Sequence, residues 1–224
     1  MPQFVRFDIL VYCEKIMDYI QQLIERYPCL DGAKSDIKEA IDIIVESYNN
    51  GGKLLIAGNG GSAADAEHIA GELMKNFTKK RTLPDSFIAD ISEVDVEIAH
   101  YLVQHLQPAL PAIALSCHTS LNTACVNDID GNITFAQQVY GYGKEADVLL
   151  AISTSGNSKN ILYAAAVAKA KKIKIIALTG IDGGNLKTFA DVCICAPETE
   201  TFKIQELHLP IYHCICMMLE NRFF

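Results

Sequence analysis

Along the chain, the spacing of apolar residues changes character once, at the "NNGG" of residues 49–52. Before it, Phe4, Phe7, Leu10, Val11, Met17, Ile20 and Leu23 recur at intervals near three and four residues, which predicts a helix over 4–27. A break at "YPCLDGAKS" separates it from a second helix predicted over 34–49. After "NNGG" come short, almost unbroken apolar runs: "KLLIAG" (53–58), "PAIALS" (111–116), "DVLLAIS" (147–153), "IKIIALTG" (173–180) and "DVCICAP" (191–197). Helix-like stretches lie between them. Strands apolar on both sides, alternating with helices, predict a parallel sheet covered on both faces. Right-handed crossovers then favour a doubly wound, three-layer α/β sandwich. Residues 78–110 form a long passage with a helix predicted around 91–105, acting as a lid or, more simply, as a packing element. A last helix is predicted over 203–221, bent by Pro210, which lacks a backbone donor.

Composition narrows the picture. A chain of 224 residues, half of them hydrophobic and 21% charged, supplies one well-filled domain. Its net charge of −8 argues against a nonspecific grip on nucleic acid. Arg6, Asp8, Glu14 and Lys15 interrupt the N-terminal apolar stretch, so no signal peptide is expected. No uncharged apolar run reaches the ~18 residues of a membrane span. A cytoplasmic protein is the expectation, with its eight cysteines as free thiols. Cys193 and Cys195 share one face of a strand, and Cys214 and Cys216 lie in a helical run; all four read as small buried hydrophobes.

Two loops carry the candidate chemistry. "GNGGS" (58–62) follows the first strand and opens a helix, and "STSGNS" (153–158) does the same after the third. Helix N-termini at strand ends offer free N–H groups and about half a positive charge, which suits a phosphate. The Walker pattern is absent, and the dinucleotide fingerprint appears only as "GNGGSA", without its later acidic residue. The pair of loops therefore points to a phosphomonoester.

"GNGGSAADAEHIAGEL", "STSGNSKN", "LTGIDGG" and "IQELHLPIYH" together resemble the sugar isomerase (SIS) domain family, and within it the phosphoheptose isomerases, from about residue 34 to the C-terminus. The resemblance implies a five-stranded parallel sandwich of flavodoxin-like winding and a homotetramer with active sites shared between subunits. It assigns Asn59, Gly60, Gly61 and Ser62 to a sugar-phosphate loop, and Asn127 and Asp128 to a substrate-binding pair. Ser153, Thr154, Ser155 and Ser158 take the phosphate loop. His68, Glu72, Gln205 and His213 form a catalytic cluster able to hold zinc. The chain departs from the family pattern at Asn76, where an arginine is common, at Phe202, where an aspartate often stands, and in the length of 78–110.

His68 and Glu72, at i and i+4, share a helix face. In the last helix Gln205 lies about 60° from His208 and about 80° from His213 on an ideal helix, so geometry alone leaves both histidines open. The resemblance selects His213. Aldose–ketose isomerisation through an enediol needs a base and an acid near the carbonyl. Glu72 is the expected base and His213 its partner acid, acting on sedoheptulose 7-phosphate to give a heptose 7-phosphate for surface glycans such as lipopolysaccharide. The alternatives are a non-catalytic module binding a sugar phosphate or the replication initiator protein, and a phosphosugar enzyme with another substrate. If the site is shared, His68 with Glu72 and Gln205 with His213 could come from different subunits. His100 and His105 have no comparable context, and nothing in the sequence orients Cys117 and His118 as a nucleophilic pair.

Overall fold

Alternate residues of a strand point to opposite faces, and here both faces are apolar. The computed structural model describes residues 19–224. The five strands are β1 (Leu54–Ala57), β2 (Ala112–Ala114), β3 (Val148–Ser153), β4 (Lys174–Thr179) and β5 (Val192–Cys195), each within one of the apolar runs. All neighbouring pairs are parallel, in the order β2-β1-β3-β4-β5. The order reverses between β1 and β3, which places the ligand crevice of such a sheet at their carboxyl ends.

The helical layers follow from the strand alternation. Residues 19–26 (α1) are helical, and the earlier part of the predicted first helix, with Phe4, Phe7, Leu10, Val11 and Met17, lies outside the described residues. One face of the sheet, with Leu54, Ile56, Leu150 and Ile176, is covered by α1, α2 (Lys34–Asn49), α3 (Gly61–Met74) and α9 (Thr201–Phe223). The other, with Leu55, Leu149, Ala151 and Ile175, is covered by α7 (Thr134–Tyr142) and α8 (Lys159–Ala170). Alanines at 164, 165 and 168 let α8 lie close to the strands. The last helix is longer than the expected 203–221, and Pro210 lies inside it, leaving the Glu206 carbonyl without its usual donor.

Residues 91–105 form parts of two helices rather than one: α4 (Asp85–Val94) and α5 (Val96–His105). Asp95 stands between them in an extended conformation, and its carboxylate accepts from the Ile98 N–H at 2.9 Å. An N-cap carboxylate satisfies the start of a new helix and so ends the old one. Ala99 is the one buried residue of the two helices, and Val94, Val96, Ile98 and Tyr101 are exposed. Between α5 and β3 runs α6 (Thr119–Asp128).

The passage starting at residue 78 is tied down at its root by a buried ion pair. Arg81 Nε donates to Glu220 Oε1 at 3.0 Å, and both side chains are fully buried. Arg81 also donates to the carbonyls of Glu72 at 3.0 Å and Leu73 at 2.7 Å, two of the carbonyls that the end of α3 leaves unpaired. Its guanidinium stacks 4.5 Å over the Phe224 ring. Glu220 accepts from the backbone N–H groups of Phe77, Thr78 and Lys79 and from the Thr78 hydroxyl. Burial alone would raise the Glu220 carboxyl; these donors and Arg81 outweigh it and hold it below the ordinary carboxylate range.

Removing one partner strands a buried charge, so Arg81→Ala is expected to cost about 3–5 kcal/mol in urea unfolding. A cost below about 1 kcal/mol, the range of exposed pairs, would show that the clamp is dispensable. Because Glu220 has a depressed value when folded, its contribution is whole above the unfolded carboxylate value of about 4.3 and fades as pH falls through the folded one. Glu220→Gln is therefore expected to flatten the acid side of the stability curve, read from unfolding midpoints between neutral and acid pH.

Candidate active site

Both glycine and hydroxyl loops sit at the switch point. α3 begins at Gly61 and α8 at Lys159, immediately beyond β1 and β3, and neither start is capped by a side chain. Ser158, the N-cap residue of α8, turns its hydroxyl to Ser153 at 3.1 Å instead. No side chain thus closes either helix start to an anion, although the N–H groups of Ser62, Ala63 and Ile161 already donate to the carbonyls of Asn59, Gly60 and Ser158. Gly60 has φ +54, a conformation that suits glycine, and brings the chain sharply from strand to helix.

The loops are braced from two sides. Asn59 and Asn160 exchange amide hydrogen bonds of 2.9 and 2.8 Å, joining the β1 loop to the first turn of α8. The "GIDGG" turn after β4 packs under "STSGNS" so closely that a Cβ on Gly156 would lie 2.0 Å from the Gly183 oxygen. Ser155 accepts from the Asn157 N–H, and the Thr154 carbonyl accepts from Gly180 N–H. A cavity of about 430 Å³ opens here, lined by Asn59, Gly60, Ser116, Thr123 and Asn160 among others.

α3 and α9 run side by side in the same direction, which carries the site along their groove. Gln205 faces Gly61, so a Cβ there would come 2.5 Å from the Gln205 amide nitrogen. Two turns on, His68 Nε2 lies 3.2 Å from Glu72 Oε1, and the His68 and His213 rings meet edge to face with centroids 5.0 Å apart. Lys75 donates to the other Glu72 oxygen at 3.0 Å, so the cation beside Glu72 comes one residue before Asn76. His213 Nε2 is buried and has no hydrogen-bond partner. Burial, then the neighbouring His68, lowers the His213 pKa below its ordinary value, against the opposing pull of Glu72. His213 also borders a second cavity of about 420 Å³ between α1 and α9, with Tyr19, Gln22, Arg26 and Phe77.

One chain therefore brings His68, Glu72 and His213 together and sets Gln205 on the loop of the same α3. The two halves need not come from different subunits, because parallel packing of α3 on α9 joins them within a protomer. His208 is fully buried, with Nε2 3.1 Å from the Thr179 carbonyl and a pKa pushed down by burial to about 4, and it packs at the end of β4. No hydrogen bond ties Asn127 or Asp128 to either loop. They are exposed at the end of α6 and bonded to each other at 2.8 Å, while Asn122, Thr123 and Val126 of that helix line the cavity. Cys117 is exposed, with its thiol pushed up by burial of the group and by Glu67, and no hydrogen bond joins it to His118. Sequence reasoning missed Asn160, Lys75, Asp65 and Tyr212; of these, only Asn160 had a local signal, in "STSGNSKN".

A doubly wound sheet with two uncapped helix starts at its switch point defines a domain built to hold a phosphate ester. The SIS domain family matches residues 12–102 and 90–180. The phosphoheptose isomerase of Thiobacillus denitrificans is 41% identical over 194 residues, 85% of each chain. The structure of phosphoheptose isomerase GmhA from Neisseria gonorrhoeae superposes with a TM-score of 0.68 at 30% identity, covering 97% of this chain and 99% of that one. A phosphoheptose isomerase from Francisella tularensis gives 0.69 at 32% identity, over 99% and 100%. The chain belongs to the SIS domain family and, within it, to the phosphoheptose isomerases.

Gly61 has the backbone freedom to become alanine, and what it would displace is the tip of Gln205. Gly61→Ala is thus expected to raise KM for a sugar phosphate several-fold while leaving the melting temperature within a few degrees. An unchanged KM would remove Gln205 and the loop contact from substrate binding.

Proposed function

We propose that the chain interconverts a ketose phosphate and an aldose phosphate through an enediol, with sedoheptulose 7-phosphate and a heptose 7-phosphate as the pair. One observation carries the reading: the helix that opens on the phosphate loop also presents His68 and Glu72, about 10 and about 16 Å further along its axis, beside His213 of α9. The helix starts hold the phosphate end, and Glu72 takes the proton from the carbon next to the carbonyl. His213, neutral because its pKa lies below the ordinary value, has a ring N–H to offer the carbonyl oxygen without first acquiring a second proton. Glu72 then returns the proton to the adjacent carbon. Lys75 and His68 hold the Glu72 carboxylate in place.

Zinc at this cluster is part of the proposal. Two imidazoles, a carboxylate and an amide oxygen are zinc-binding in kind, and the unpartnered Nε2 of His213 is left free for such an ion. Among the described residues no three His, Cys, Asp or Glu side chains are grouped to hold a metal as they stand, so loading would require His68, Glu72, Gln205 and His213 to close together. When bound, zinc would polarise the sugar's oxygens. A homotetramer acting in the cytoplasm belongs to the same reading; the exposed apolar side chains of α4 and α5 offer surface for subunit contact, and no helix among the described residues is long and apolar enough to cross a membrane.

Purified protein is expected to isomerise sedoheptulose 7-phosphate, and Glu72→Gln and His213→Ala each to lose about 10²–10⁴-fold in kcat. Full turnover in both variants would take the chemistry away from this cluster. Turnover of a different phosphosugar alone would move the substrate and keep the site.

A further inference from the structure

The last strand carries a pair of thiols that the sheet brings onto one side. Alternate residues of a strand share a face, so Cys193 and Cys195 of β5 point the same way, and β5 is an edge strand. Their sulfurs lie 3.6 Å apart. β4 pairs with β5 so that Thr179 stands opposite Cys195, and the Thr179 hydroxyl lies 3.6 Å from each sulfur. Cys125, Cys214 and Cys216 are closed into the core. Cys193 and Cys195 are only half-buried, and both line a cavity of about 390 Å³ along the β5 edge, with Asp36, Glu39, Lys187 and Asp191. The expectation of four buried packing cysteines therefore holds for Cys214 and Cys216 and not for this pair.

The spacing decides what the pair can hold. A disulfide needs sulfurs about 2.05 Å apart, and Cα atoms two positions apart on a strand are separated by about 6.4–6.8 Å, the upper limit that a disulfide spans. A metal ion needs no such movement. With metal–sulfur bonds of about 2.3 Å, sulfurs 3.6 Å apart subtend about 103° at the ion, close to the tetrahedral angle. An ion that prefers two sulfurs in line would need them about 4.6 Å apart. The Thr179 hydroxyl is within reach of both sulfurs, and a hydrogen bond to a thiolate favours that charged form. Gly183, in the turn after β4, packs on the pair, since a Cβ there would come 3.2 Å from the Cys193 sulfur. The cavity leaves the remaining coordination positions to water.

We propose that Cys193 and Cys195 form a two-thiolate site for a thiophilic divalent ion that favours tetrahedral coordination, the class of zinc and cadmium. As each metal–sulfur bond forms, the S–H proton passes to solvent, so one ion releases two protons and the complex is neutral. Burial pushes the Cys193 thiol up to about 11, so without an ion it is protonated. A softer ion gains more from sulfur, and cadmium is expected to displace these protons more readily than zinc. The pair shares no residue with His68, Glu72, Gln205 and His213, and it does not depend on the isomerase reading.

The test titrates full-length protein, reduced with a phosphine and freed of metal by chelation, with cadmium chloride. It reads the ultraviolet charge-transfer band that sulfur ligands give with cadmium; the histidine cluster contains no sulfur and is silent. Wild type is expected to show a band that saturates at one ion per chain. Cys193→Ser and Cys195→Ser are each expected to lose it, and a Cys29→Ser/Cys117→Ser variant, which removes the exposed thiols, to keep it. A second measurement needs no variant: in wild type, cadmium is expected to shield Cys193 and Cys195, but not Cys29 or Cys117, from alkylation by iodoacetamide, read by peptide mass spectrometry. No band in wild type would overturn the proposal. So would a band that survives in folded Cys195→Ser, or alkylation of the pair unchanged by cadmium.

Discussion

The contact on which the site most depends is the buried pairing of Arg81 with Glu220. A buried ion pair is a poor source of stability unless every remaining hydrogen-bonding position is filled. Here they are filled: the guanidinium takes the last carbonyls of α3, and the carboxylate takes three successive backbone N–H groups of the segment that follows. The pair is therefore less a bridge between two charges than a cap on two chain ends. It closes the C-terminus of α3 with a cation, as the helix dipole favours, and fastens that end to the last turns of α9. Since Arg81 bonds the carbonyl of Glu72 itself, the position of that residue along the groove is set from behind.

The two ends of α3 thus have opposite requirements, and the fold meets them separately. The N-terminal end must stay uncapped to receive a phosphate, so a glycine turn precedes it and no side chain fills its first N–H groups. The C-terminal end is filled by Arg81. A rigid helix between an open anion site and a closed cap fixes the distance from phosphate to acid–base groups. Parallel packing with α9 then adds Gln205 at one end and His213 at the other, with Tyr212 bonded to His68 beside it. An antiparallel partner helix would have put Gln205 next to Glu72 and left the loop without it.

The strands were legible because burial on both sheet faces leaves apolar runs that no surface helix shows, and all five runs became strands. The loops were legible because glycine and hydroxyl residues at strand ends have few other uses. The split of 91–105 was not foreseen: Asp95 reads as one polar residue in an amphipathic stretch until its carboxylate is seen on the Ile98 N–H. Arg81 with Glu220 and His68 with Tyr212 are separated by 139 and 144 positions, and a single sequence contains no trace of such pairings. His213 lay at the edge of what spacing can decide. Its angular place on α9 did not separate it from His208, and only the contacts do: His208 is closed against the Thr179 carbonyl, whereas the His213 ring meets that of His68.

The place of His213 and that of the Asn127–Asp128 pair bear on the same question. His213, Glu72 and His68 meet in one protomer, yet the Asn-Asp pair, which the family resemblance gives to the substrate, faces solvent at the end of α6, bonded only within itself. In the proposed homotetramer the pair would be free to serve the site of an adjacent protomer, and the apolar face of α4 and α5, which buries only Ala99 in its own chain, would give such a protomer a surface to stand on. Sharing would then concern substrate grip rather than the acid–base groups. Dissociation of an oligomer would weaken sugar binding while leaving the catalytic groups assembled, so that loss on dilution would appear in KM before kcat.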